Sequence, residues 1–138
     1  AKLVKSFPRQ RFILDHLGKP RIRAGELEPW KQDIARLAAY PNVWCKLSGM
    51  VTEAEWKEWT YEDLLPFMET VLEEFGPDRI MVGSDWPVCR LAGDYSQVMR
   101  IVPDFIKSLN TADQESILYK NAIDCYQLIL ETVGEAKV

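Results

Sequence analysis

Cysteine is scarce in this chain. Its 138 residues hold three, Cys45, Cys89 and Cys125, far apart and odd in number, with no C-x-x-C pair. That excludes a disulfide framework and predicts reduced thiols in the cytosol. No apolar run approaches the roughly 20 residues of a membrane helix. The opening Ala1-Lys2-Leu3-Val4-Lys5-Ser6 lacks the apolar core of a signal peptide. Basic residues form no stripe, and the formal net charge is -4, so nothing predicts a nucleic-acid partner. Histidine occurs once, as His16, and an initiator Met is missing, which predicts a fragment or a processed product. There is no internal repeat, low-complexity tract or Ser/Gly linker. What remains is 47% hydrophobic, the composition of one ordinary globular domain.

Three short apolar segments read as strands: Arg11–Asp15, Val43–Ser48 and Ile80–Ser84. Between and after them run helical patterns. Trp30, Ile34, Leu37 and Ala38 recur at helical spacing until Tyr40-Pro41. Thr52-x-x-Glu55 has capping-box spacing for a short turn with Trp56 and Trp59. A longer helix carries Leu64, Phe67, Met68, Val71, Leu72 and Phe75, with Pro66 in its first turn and Gly76 as its cap. Asp94 caps a helix with Tyr95, Val98, Met99, Phe105, Ile106 and Leu109 on its apolar side; Thr111 and Asn121 open two more, and residues 134–138 fray. Strand–helix alternation predicts an α/β fold of parallel strands joined by crossover helices, either a doubly wound sheet or a barrel.

Side chains alternate across a strand. In the third strand Ile80 and Val82 suit the helix layer, leaving Met81, Gly83 and Asp85 facing the other way. In the second, Val43, Cys45 and Leu47 face the helices, and Trp44, Lys46 and Ser48 face inward. Phe12, Leu14 and His16 share the inward side of the first, which turns Asp15 toward the helices as a salt-bridge or turn residue. His16, Lys46, Ser48 and Asp85 would then converge at C-terminal strand ends, where barrel active sites lie. Each residue has a plainer reading. His16, from pattern alone, reads more readily as a structural strand-end histidine. Asp85 would serve as a turn residue ahead of Pro87, Lys46 as a solvated edge-strand residue, and Trp86 as core or pocket wall. Arg21 and Arg23 either greet a substrate carboxylate or sit on the surface.

Three segments together carry a resemblance. Asp15-His16-Leu17-Gly18-Lys19-Pro20, Asn42–Gly49 and Phe75–Val88 resemble the D-H-x-G-x-P, N-V-x-x-K-x-S-G and F-G-x-x-R-x-M-x-G-S-D-W-P segments of the amidohydrolase superfamily, in its sugar-lactonase and dicarboxylate-lactonase branch. Asn121-Ala122 followed by Tyr126 resembles its closing helix. The resemblance implies about three strand–helix units from the C-terminal portion of a TIM (β/α)8 barrel, one partial domain over residues 1–138. A full barrel takes about 250 residues. The superfamily's H-x-H strand is missing, which implies an absent N-terminal half.

The function so implied is hydrolysis of a lactone or similar cyclic ester within a complete barrel. Asp85 is the expected base for water. His16 polarises the substrate carbonyl or, with Asp85, ligates a divalent metal such as zinc where one is used; the branch includes members that work without a metal. Lys46, Ser48, Arg21, Arg23 and Trp86 are the expected substrate contacts, for a small-molecule lactone or carboxylate. The alternatives are a metal-dependent decarboxylase of the same superfamily and a non-catalytic half-barrel that acts by assembly, with itself or with the absent half. A lone sheet with open edges and bare Phe12, Trp44 and Met81 faces would favour such pairing.

Overall fold

The computed structural model describes residues 1–129. Three strands form one parallel sheet in the order β1 (Phe12–Leu14), β2 (Val43–Leu47), β3 (Ile80–Val82). Phe12 pairs with Val43 and Leu14 with Cys45; Cys45 pairs in turn with Ile80 and Leu47 with Val82. Each strand is apolar and bounded by turn chemistry, so the three expected segments form the three expected strands. Parallel neighbours need a crossover, supplied here by α2 (Trp30–Ala38) between β1 and β2, and by α3 (Met50–Glu53) and α4 (Tyr61–Phe75) between β2 and β3. After β3 come α5 (Tyr95–Ile106), α6 (Thr111–Glu115), a π-helical turn at Ser116–Lys120 and α7 (Asn121–Tyr126); α1 (Lys2–Ser6) precedes the sheet.

Local signals explain most helix ends. Asp94 accepts from Gln97 N–H at 2.8 Å and starts α5. Thr60 and Asp63 form a capping box at the start of α4. Two expectations shift. Thr52 opens no helix: α3 already begins at Met50 on the left-handed Gly49, and Thr52 Oγ1 donates back to Gly49 O at 2.9 Å. Pro66 lies in the second turn of α4 rather than the first, with its carbonyl taken by Thr70 Oγ1. In α5 the buried positions are Val98, Ile101, Val102 and Ile106, while Tyr95 is exposed. Residues 134–138 lie outside the described residues.

The core splits by strand parity. Val43, Cys45, Leu47 and Ile80 join the helix-side cluster with Ile34, Leu64, Phe67, Met68 and Val71. Trp44 and Met81 point to the other face, as expected, but that face is not bare. α7 lies over it, and Trp44, Met81 and Cys125 form a second buried cluster flanked by Ile13 and Ala122. Arg11 secures this cover: its guanidinium stacks on Trp44 and donates to the Asp124 and Cys125 carbonyls at the end of α7. Phe12 and Leu14 pack on the helix side, not inward. The helix layer therefore covers one face, and the short α7 caps the Trp44–Met81 part of the other.

Polar side chains, Asn121 buried and Arg79 and Asn42 half-buried, knit the crossovers to the strand starts. Arg79 Nη1 donates to Ala38 O, Tyr40 O and Val43 O, joining the end of α2 and the start of β2 to β3. Asn121 Nδ2 donates to Pro77 O and Ile80 O, both at 2.7 Å. Asn42 Nδ2 reaches Gln10 O at 2.7 Å. Several positions of the motifs quoted above thus serve the scaffold, by donating to backbone carbonyls at the strand starts and crossover ends.

Candidate active site

At the C-terminal ends of the strands the chain stops being extended. Residues Asp15–Gly18 form a tight turn in which His16 (φ 51°) and Leu17 (φ 52°) are left-handed. Each such residue costs about 1–2 kcal/mol unless its surroundings enforce it. Enforcement comes from burial of Leu17 and from Trp30 Nε1 donating to Leu17 O at 2.7 Å. The turn breaks strand alternation. It swings the His16 ring off the Phe12–Leu14 side and onto the other, against Ser48. Asp85 is left-handed too (φ 55°), immediately after the Gly83-Ser84 exit from β3.

The result is an open cleft of about 470 Å³. Asp15, His16, Lys46, Ser48, Asp85 and Trp86 line it, with Tyr126 entering from α7. His16 Nδ1 lies 2.8 Å from Ser48 Oγ. On its other side, His16 Nε2 lies 3.5 Å from Asp85 Oδ1 and 3.4 Å from Asp15 Oδ2. The second Asp15 oxygen sits 3.3 Å from Lys46 Nζ, and Lys46 Nζ also lies over the Tyr126 ring at 5.8 Å. Burial pulls the Lys46 pKa down, but the neighbouring Tyr126 and Asp15 side chains together outweigh it and raise the value above that of a free lysine. Chemically the cleft holds a secured ammonium, an imidazole and two carboxylates at one sheet end.

The seven expected site residues divide. His16, Lys46, Ser48, Asp85 and Trp86 come together. Trp86 is 62% exposed on the cleft wall, whereas Ser48 is 2% exposed and turned to His16. Arg21 and Arg23 lie elsewhere on the surface, paired at 2.7 Å with Glu26 and Glu55. Asp15 and Tyr126 were not expected in the cleft. The signal for Asp15 was the same alternation that places Ile13 beside Trp44: read from Ile13, Asp15 faces Lys46. Among the described residues no group of three His, Cys, Asp or Glu side chains is arranged to hold a metal ion. Likewise, no helix is long and apolar enough to cross a membrane.

Polar side chains gathered at the C-terminal strand ends of a parallel α/β sheet occupy the edge where α/β enzymes place their active sites. The family model for amidohydrolases matches residues 1–128, and the chain belongs to that family. An L-fucono-1,5-lactonase of Burkholderia multivorans is 40% identical over 126 residues, 84% of this chain and 43% of the relative. A 2-pyrone-4,6-dicarboxylate hydrolase of Comamonas testosteroni is 32% identical over 124 residues, 83% of this chain and 40% of the relative. Among solved structures, a Burkholderia multivorans amidohydrolase with bound zinc superimposes with a TM-score of 0.85 at 36% identity, covering 91% of this chain and 48% of that one. The chain thus spans less than half the length of these relatives.

Proposed function

We propose that this chain is the C-terminal part of a (β/α)8 barrel, one partial domain, and that the complete protein hydrolyses a lactone. The observation that carries the reading is the approach of Asp85 Oδ1 to His16 Nε2, 3.5 Å apart at the ends of the two strands that flank β2. Asp85 takes a proton from water. The oxygen attacks the lactone carbonyl, and His16 stabilises the charge that develops on the carbonyl oxygen. Collapse of the tetrahedral intermediate breaks the ring C–O bond, and Asp85 returns its proton to the departing alkoxide, giving a hydroxy acid and the free carboxylate of Asp85. Lys46 and Trp86, on the cleft wall, contact the substrate; Arg21 and Arg23 reach it only from outside the cleft. The names of the two relatives, both lactone hydrolases, favour this reading over decarboxylation.

If the complete protein binds a divalent metal such as zinc, His16 Nε2, freed of its hydrogen, and Asp85 Oδ1 would be ligands from this chain. They are of the right chemical type and close enough to share one ion, while the remaining ligands of a catalytic site, normally three from protein, would come from the rest of the protein. Bound there, a metal would supply Lewis-acid polarisation of the carbonyl.

The test is to assay the complete protein against neutral sugar 1,5-lactones, dicarboxylate lactones and aromatic carboxylic acids, following acid and CO₂ release. Ring opening of at least one lactone class is expected. Release of CO₂ with no lactone opened would replace this reading with decarboxylation, and inactivity on all three would favour a part that acts only by assembly.

A further inference from the structure

We infer that Ser48 is a positioning residue, whose hydroxyl donates to His16 Nδ1 and locks the imidazole with Nε2–H aimed at the cleft. Ser48 is 2% exposed, so it offers little surface to a substrate, and its Oγ lies 2.8 Å from Nδ1. A hydroxyl can donate or accept, so the other face of the ring decides the direction. Two carboxylates, Asp15 and Asp85, stand 3.4 and 3.5 Å from Nε2. Carboxylates repel a nitrogen lone pair and attract an N–H. With no metal at Nε2, that nitrogen therefore carries the hydrogen, Nδ1 is the acceptor, and Ser48 is its donor.

The surrounding backbone is shaped for this contact. A Cβ at Gly49 would lie 2.9 Å from both His16 Cγ and Nδ1, so only glycine lets the ring stack there. A Cβ at Gly83 would lie 3.1 Å from Ser48 Cβ, so Gly83 leaves the serine room from the β3 side. Two glycines from two strand exits thus frame one Ser–His pair. The hydroxyl acts through the ring, not on the substrate.

The test uses the complete protein, with the His16 ring resonances assigned by their loss in His16→Gln. With ¹⁵N-labelled histidine in the metal-stripped protein, at about pH 8.5 where an ordinary imidazole is neutral, the His16 ring of the parent should show the Nε2–H tautomer. Its Nδ1 resonance should be displaced in the manner of a hydrogen-bond acceptor. Ser48→Ala should move Nδ1 to the position of a free acceptor nitrogen, and Ser48→Thr should restore it. Ser48→Cys, close in shape but a weak donor, should follow Ala, and it stands in should Ser48→Ala fail to fold. In the complete enzyme Ser48→Ala should lower kcat about 10–100-fold with little change in KM, the usual loss when a group that orients a histidine is removed. The kinetic arm rests on the lactonase reading; the spectroscopic arm does not. An Nδ1–H tautomer in the parent, or the same Nδ1 resonance in parent and Ser48→Ala, overturns the inference whatever the enzyme proves to do.

Discussion

Asp15 Oδ1 lies 3.3 Å from Lys46 Nζ, one residue past the last pair of the β1–β2 ladder. The contact resolves the cost of a lysine on an otherwise apolar strand. Asp15 and Tyr126 together keep the ammonium charged at the mouth of the cleft, against the pull of burial.

A pH dependence follows. Because the folded-state Lys46 pKa is raised, its stabilising contribution is fully present below the ordinary lysine value of about 10.4 and is lost as pH climbs through the folded value. The stability gap between parent and Lys46→Met should stay level from neutral pH to about 9 and close only in the alkaline range. Screening in the open cleft keeps the gap within about 1 kcal/mol. Asp15→Asn should lower the Lys46 pKa, because burial then faces one partner instead of two. Titration of the Lys46 side-chain resonances checks both, and an unchanged or higher value in Asp15→Asn would contradict the cleft geometry.

Gly49→Ala should damage the site more than the scaffold. The new methyl would meet the His16 ring at 2.9 Å from a backbone at φ +63°. Overpacking of this kind costs about 1–3 kcal/mol, relieved by moving the ring. Thermal melts should show that loss, and the His16 ring resonances should shift while those of the helix-side core hold still. A variant with parent stability and an undisturbed ring would refute the close approach.

Asn121→Ala tests the scaffold instead. It strips the donor from two carbonyls, Pro77 O and Ile80 O, beneath β3. Leaving buried acceptors unpaired costs about 1–3 kcal/mol. Denaturant unfolding should show that deficit, and Asn121→Asp should not recover it, since a carboxylate cannot donate. Parent-like stability in Asn121→Ala would mean that water replaces the amide.

Much of this was legible in the sequence, for reasons that differ by element. The strands announced themselves because a parallel strand between helix layers is a short apolar run with turn residues at its ends. Alternation also placed Trp44, Lys46, Met81 and Asp85 on the correct side. It misplaced Phe12 and Leu14. That expectation carried extended geometry through to His16, whereas His16 and Leu17 are left-handed. Reading backward from the histidine therefore inverted the strand and hid Asp15 from the cleft. The ends of α3 and α4 moved because capping choice depends on tertiary contacts that a four-residue spacing does not encode. The α7 cover over Trp44 and Met81 was invisible for a similar reason: Cys125 and Ala122 look like any helix face until Arg11 fastens the helix down.

The most direct test of the central claim is kcat for lactone hydrolysis by the complete protein carrying Asp85→Asn. Asparagine keeps the shape of Asp85 but cannot take a proton from water. With the fold verified by circular dichroism, kcat should fall by about 10²–10⁴-fold, the usual contribution of a general base. A folded Asp85→Asn protein that opens lactones at close to the parent kcat would contradict the account and leave Asp85 as a turn residue ahead of Pro87.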